Sequence, residues 1–90
     1  MLRVGIITKE WPPEVYGGAG THVAELVAAL APLADVTVRC FGRPRADAVA
    51  YPVPEAFADA NPALQTVATD LEIARDLTDV DVAHSHTWYA

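Results

Sequence analysis

The sequence predicts an α/β fold: a parallel three-stranded sheet in the order 2-1-3 with flanking helices, the opening half of a doubly wound, Rossmann-like domain. Apolar β-branched runs alternate along the chain with segments of helical period. Glycine and proline clusters fall between them, where strands give way to helices. An alternating β-α-β order requires parallel strands and right-handed crossovers.

Residues 2–8, Leu-Arg-Val-Gly-Ile-Ile-Thr, are short, apolar and rich in β-branched side chains, as a buried central strand requires. Gly5 inside it marks a place where another group packs against the backbone. Residues 9–20 hold Pro12, Pro13, Gly17, Gly18 and Gly20 and read as a loop. Val23, Leu26, Val27 and Leu30 then fall at i, i+3, i+4 and i+7, one face of a helix. Gly20 or Thr21 caps its start, Glu25 lies in the first turn, and Pro32 with the turn at Ala34 and Asp35 ends it.

Residues 36–41 form a second strand, with Val36, Val38 and Cys40 on one face and Thr37, Arg39 and Phe41 on the other. That mixed face places it nearer the sheet edge than the first. Gly42, Pro44, Pro52 and Pro54 make residues 42–60 a long surface connection with one helical turn near residues 55–58. Asn61 followed by Pro62 is a cap with proline at the first helical position. Leu64, Val67, Ala68, Leu71, Ala74 and Leu77 keep helical spacing after it. Residues 80–84 make the third strand, whose outer edge has no covering helix and is open to self-association.

Ninety residues with 52% hydrophobic content build one small domain with a thin core, and the chain reads as the first part of a longer protein. A formal charge of −6 argues against nucleic acid and anionic membranes, which require a basic footprint. The single Cys40 has no internal disulfide partner, so nothing points to an oxidising compartment. No apolar run approaches the roughly 20 residues of a membrane helix, and the N-terminus lacks the pattern of a leader. The resulting expectation is a soluble, cytoplasmic protein.

Two segments carry candidate chemistry. Tyr16-Gly17-Gly18-Ala19-Gly20 lies between the first strand and the first helix, where parallel strands end and ligands gather. Its glycines and the helix N-terminus suit an anion such as a phosphate, although the spacing is neither G-x-G-x-x-G nor a Walker loop. A plain flexible turn fits the same spacing. His84-Ser85-His86-Thr87-Trp88-Tyr89 ends the third strand at the same rim. Residues at i and i+2 point to one side. His84 reads as a satisfied, half-buried histidine and His86 as the functional one. With His22 the only other histidine, no ligand set for a metal is complete.

The remaining candidates are weaker. Asp79 and Asp81 begin a strand at the opposite rim and read as a solvated turn. Cys40 reads as core, and Ser85 lacks a nucleophile-elbow pattern. Lys9, Glu10 and Glu14 lie in the crevice loop, within reach of a ligand, although charged loop residues are usually solvated. Trp11 and Tyr16 are candidates to flank a sugar ring or to cover the loop prolines.

The run Thr8-Lys9-Glu10-Trp11-Pro12-Pro13-Glu14-Val15-Tyr16-Gly17-Gly18-Ala19-Gly20-Thr21-His22-Val23 resembles the start of bacterial glycogen synthases and related retaining glycosyltransferases of the GT-B fold. The run Asp81-Val82-Ala83-His84-Ser85-His86-Thr87-Trp88-Tyr89-Ala90 resembles the same family's His-x-His-x-Trp segment, and Ala60-Asn61-Pro62-Ala63-Leu64 has its look as well. The resemblance implies transfer of glucose from ADP-glucose or UDP-glucose to an α-glucan or a glucose phosphate, without a metal or other cofactor. It implies a cleft between two Rossmann-like domains, of which residues 1–90 are part of the N-terminal, acceptor-side one. Gly17, Gly18 and Ala19 would meet the donor diphosphate. His86 would stand near the reacting sugar, with Trp88 beside it; Lys9 and Tyr16, read from their place in the loop, are further candidate substrate contacts. Where larger members carry Lys-Thr-Gly-Gly-Leu, Val15-Tyr16-Gly17-Gly18-Ala19 stands here without the lysine. Tyr89 also replaces the histidine that follows their Trp. The match is closer to shorter members, among them those resembling maltose-1-phosphate synthases. The donor-binding domain is absent from these residues, so the chain alone is expected to be inactive. A stand-alone phosphate- or nucleotide-binding module and a self-associating interaction domain are the alternatives.

Overall fold

The computed structural model describes residues 1–86. Four strands, β1 (Arg3–Thr8), β2 (Asp35–Phe41), β3 (Val49–Tyr51) and β4 (Val82–Ser85), form one parallel sheet in the order β3-β2-β1-β4. Helices α1 (Gly18–Leu30) and α2 (Pro62–Asp76) complete it, with a 3-10 turn at Glu55–Phe57. The expected 2-1-3 core is present, since β2 and β4 flank β1. The strand count differs: four are found where three were expected. Val49, Ala50 and Tyr51 pair with Arg39, Cys40 and Phe41 on the free edge of β2, inside the stretch expected to be surface connection. Three residues just ahead of Pro52 are too few to show a period, so only the tertiary edge reveals them.

Strand side chains alternate between the two faces. Val4 and Ile6 lie on one, beside their register partners Val36 and Val38, and α1 covers them. Ile6, Val23 and Cys40 are fully enclosed there, with Trp11, Ala34 and Val38 around them. Each aliphatic side chain so enclosed contributes about 1.5–3 kcal/mol.

Gly5 faces the other side, where a Cβ would stand 3.1 Å from Val80 Cγ1 and 3.2 Å from Leu77 Cδ2. The close approach expected at this glycine is therefore real. Across this face the Tyr51 hydroxyl accepts from Arg39 Nη1 at 2.6 Å and donates to Asp76 Oδ2 at 2.6 Å. Burial pushes the Tyr51 hydroxyl pKa up, and the bond to Asp76 adds to it.

The start of α2 is as expected: Asn61 Oδ1 accepts from the Leu64 amide at 2.9 Å, and Pro62 opens the helix. Its buried residues are Ala68, Thr69 and Ile73, while Leu64, Val67 and Leu71 are exposed. Asp76, Ile73 and Thr69 stand at i, i−3 and i−7, so docking Asp76 on Tyr51 turns that row inward and the leucine row outward.

All four residues of β4 are exposed. Ahead of β4, the Asp81 carboxylate accepts from the Arg3 amide at 2.8 Å and from Arg3 Nη2 at 3.2 Å, at the rim away from the glycine turn. Those bonds hold the Asp81 carboxyl below its ordinary range. Among the described residues no helix is long and apolar enough to cross a membrane, and no group of three or more His, Cys, Asp and Glu is arranged to hold a metal ion.

Candidate functional site

Parallel pairing sets the C-terminal ends of β1 and β4 side by side, Ile7 opposite Ser85. The chain leaving β1 returns above this rim as α1. Gly17 is the N-cap and Gly18 the first helical residue, so the helix begins earlier than the expected cap at Gly20 or Thr21. Glu25 accordingly falls outside the first turn, which has no acidic residue.

The glycines of the turn differ in their reasons for being glycine. Gly17 is extended, with φ −175°, a conformation open to any residue. A Cβ at Gly17 or Gly18 would meet nothing within 4 Å. At Gly20 a Cβ would stand 2.8 Å from Val15 Cγ1 and 2.9 Å from Glu10 Oε1, so glycine is required there by packing. The fold therefore demands Gly20, and the space above Gly17 and Gly18 is left open.

Glu10 shapes the turn from beneath. Its Oε1 accepts from the amides of Tyr16 at 2.6 Å and Gly17 at 3.1 Å, and Thr8 Oγ1 donates to its carbonyl at 2.8 Å. Glu14 bridges to the next loop, pairing with Arg43 and, at 3.1 Å, with the Arg45 side chain. Arg45 is buried and also donates to Cys40 Sγ at 2.8 Å and to the Phe41 carbonyl at 2.9 Å. Burial pushes the Cys40 thiol up while Arg45 opposes it, so the thiol is a packed core group. Trp11 is likewise core, its Nε1 donating to Asp47 Oδ1 at 3.2 Å. Of the two aromatics, only Tyr16, 79% exposed, remains open to a ligand.

Val82, His84 and His86 alternate onto the face that α1 covers. The His86 amide donates to the Ile7 carbonyl at 2.8 Å, which ties the segment to β1. His86 Nε2 then lies 3.2 Å from His22 Nδ1 on α1, with ring centroids 4.9 Å apart and planes inclined by 26°. Burial holds the His86 pKa below its ordinary value, His22 and His84 add to this, and a hydrogen bond with the Ala19 backbone opposes it. His84, expected to be half-buried, is exposed, its ring 6.0 Å from that of His86. Among the described residues β4 is the outer strand of the sheet, paired on one side only.

Ala19 and His86 are thus in contact, and Gly17 and Gly18 precede Ala19 directly. Burial pushes the Asp70 carboxyl pKa up, and the charge of Lys9, exposed at the end of β1, opposes it. Trp88 lies outside the described residues. Two residues of the site were missed in sequence. Glu10 reads as a solvated loop charge until Pro12 and Pro13 fold the chain back over it. His22 reads as an isolated histidine; its one signal is a place in the helix turn that faces the strand bearing His84 and His86.

Concavities of about 310 Å³ beside β2 and about 210 Å³ beside α2 have no lining residue from the glycine turn or the histidines. The space that a Cβ at Gly17 or Gly18 would enter is open, and the same turn lies beside the His86 imidazole, whose pKa burial lowers.

The model of Glycosyltransferase Family 4 matches residues 16–90. The alpha-maltose-1-phosphate synthase of Mycobacterium tuberculosis (strain ATCC 25618 / H37Rv) is 51% identical over 88 residues, 98% of this chain and 23% of its own length. That of Mycolicibacterium smegmatis is 52% identical over 89 residues, again 98% of this chain and 23% of its own. The chain thus spans 23% of the length of these curated relatives.

Proposed function

Because this chain belongs to Glycosyltransferase Family 4, we propose that it forms the acceptor-side part of a cleft that passes glucose from ADP-glucose or UDP-glucose to a sugar acceptor. The observation that carries this reading is the meeting of the glycine turn and His86 at one rim of the sheet, through Ala19 and His22. The relatives' printed product, maltose 1-phosphate, favours a glucose phosphate over a glucan as acceptor.

The bond that breaks joins the donor glucose C1 to the diphosphate oxygen. The bond that forms joins that C1 to an acceptor hydroxyl oxygen, whose proton ends on the departing diphosphate. Gly17 and Gly18 let the diphosphate approach the backbone, and the amides of the first α1 turn face its negative charge. His86 and Tyr16 border the sugar. Stabilising the leaving diphosphate demands fixed positive charge. Arg43 and Arg45 are paired with Glu14, and Arg3 sits at the far rim with Asp81. The reading therefore assigns the main cations to a second, donor-binding domain, and residues 1–90 alone are expected to show no turnover. A nucleotide-release assay with either donor and glucose 1-phosphate checks this.

The direct test titrates ¹⁵N-labelled chain with ADP-glucose, UDP-glucose and glucose 1-phosphate. Amide shifts at Gly17, Gly18 and Ala19 are expected with the nucleotide sugars. Shifts confined to the α2 face would sink the reading. Self-association is a second reading, favoured by the exposed edge of β4; light scattering at rising concentration separates monomer from dimer.

A further inference from the structure

The chain has six Lys and Arg residues with which to meet an anion. Arg3 is bound to Asp81 at the rim away from the glycine turn. Arg39 donates to Tyr51 on the α2 face. Arg75 pairs with Glu72 at 3.6 Å in the last turn of α2, from which the chain runs to the start of β4. Lys9 follows β1 on the face of Gly5, the α2 side, and its charge acts on Asp70. Arg43 and Arg45 remain. They follow the C-terminal end of β2, beside that of β1, and both reach Glu14 in the loop that ends in the glycine turn.

These two arginines share one carboxylate but not one environment. The Arg45 side chain is 5% exposed and is enclosed by Glu14 Oε2, Cys40 Sγ and the Phe41 carbonyl. The Arg43 side chain is 67% exposed and donates through Nε to Glu14 Oε1. Two guanidinium groups against one carboxylate leave a net positive charge. A buried cation left unpaired is costly, so Arg45 draws on the carboxylate and the surplus falls on Arg43. Among the described residues Glu14 is the one group bonded to Arg43, which leaves Nη1 and Nη2 as a two-pronged donor. The backbone is built to present it. Gly42 has φ 103°, the left-handed conformation that favours glycine, and a Cβ there would stand 3.1 Å from Glu14 Oε2.

We propose that Arg43 is the acceptor-phosphate fork of this rim, its Nη1 and Nη2 binding the phosphate monoester of a sugar-phosphate acceptor while Nε stays on Glu14. The proposal deepens the glycosyl-transfer reading and rests on it. In a sugar phosphate the carbon that bears the phosphate is not the one whose hydroxyl receives glucose. A cation for that phosphate therefore belongs beside the glycine turn and not within it. The end of β2 meets this need, one strand spacing of about 4.8 Å from β1. Neutralising the leaving diphosphate is a separate task, which stays with the donor-binding domain.

¹H–¹⁵N spectra of the chain that include the arginine Nε–H signals test this. Glucose 1-phosphate, and more weakly inorganic phosphate, should shift Arg43 Nε–H and the Gly42 amide, whereas uncharged glucose should shift neither. Arg43→Gln should weaken glucose 1-phosphate binding about tenfold. Arg43→Lys, which keeps the charge and loses the fork, should weaken it about threefold. The side chain is exposed, so both variants should keep the dispersed amide spectrum of the folded chain. Shifts of Gly17 and Gly18 with ADP-glucose should survive both substitutions. Undiminished glucose 1-phosphate binding by Arg43→Gln overturns the proposal, as do Arg43 shifts produced by ADP-glucose and not by glucose 1-phosphate. In either case the glycosyl-transfer reading stands while the glycine amides report the donor. Equal affinity for inorganic phosphate and glucose 1-phosphate would overturn the sugar assignment, making Arg43 a general anion contact. Glycine amides silent toward both nucleotide sugars, with Arg43 still binding glucose 1-phosphate, would overturn the acceptor role together with the reading beneath it.

Discussion

On the α1 side of the sheet, Ile6, Val23 and Cys40 are fully enclosed; on the α2 side, Leu64, Val67 and Leu71 stand half or more exposed. The first face is closed by apolar side chains meeting across a short distance. The second is held by a glycine that admits Leu77 and Val80, by the buried Ala68, Thr69 and Ile73 of α2, and by the hydroxyl bridge from Arg39 through Tyr51 to Asp76. The candidate site belongs to the first face, since α1, the glycine turn and both paired imidazoles are built on it. The candidate site is thus backed by the better-packed half of the molecule.

The largest expected effect tests that contrast. Ile6→Ala should cost about 2–5 kcal/mol in a urea melt, while Leu71→Ala stays within about 0.5 kcal/mol. Equal losses would erase the distinction between the faces. Next, Gly20→Ala should cost about 1–3 kcal/mol, because the new methyl must push Val15 or lift Glu10 off the amides of Tyr16 and Gly17. Gly18→Ala meets nothing and stays within about 1 kcal/mol, with helix propensity on its side. On the second face, Tyr51→Phe should cost about 1–2 kcal/mol by stranding Arg39 and Asp76, a loss that a second melt reads.

The smallest effect is one of pH. The His86 pKa lies below the ordinary 6.5, so as pH falls the unfolded chain takes up its proton first. Its contribution is complete above about pH 6.5 and is lost as pH drops through the folded-state value. The groups that act on it are His22, His84 and the Ala19 backbone. Melts at pH 7 and pH 5 should therefore show a loss on acidification that His86→Ala reduces. An unchanged pH dependence in the variant would remove the imidazole pair from the energetics of the α1 face.

Sequence pattern located the elements that carry their own local signals. β1 is a β-branched run, and Asn61-Pro62 is a start that needs no tertiary partner. The meeting of the glycine turn with His86 followed from parallel topology alone, since both segments trail the C-terminal ends of neighbouring strands. What stayed hidden depends on contacts far along the chain. β3 exists because β2 has a free edge. α2 turns its leucines outward because Asp76 reaches Tyr51. Glycine's poor helix propensity concealed that Gly18 and Gly20 are helical, although a first turn still free of its own hydrogen bonds tolerates them. Glu10 and His22 acquire meaning only when the loop has folded back and β4 has docked.

The clasp between Arg3 and Asp81 spans 78 positions, so the central strand takes its final neighbour only when the last described stretch has emerged. At ribosomal speeds of about 5–20 residues per second, one side of β1 waits on the order of ten seconds without its ladder. During that interval the nascent chain carries an unmated ribbon of amides and carbonyls.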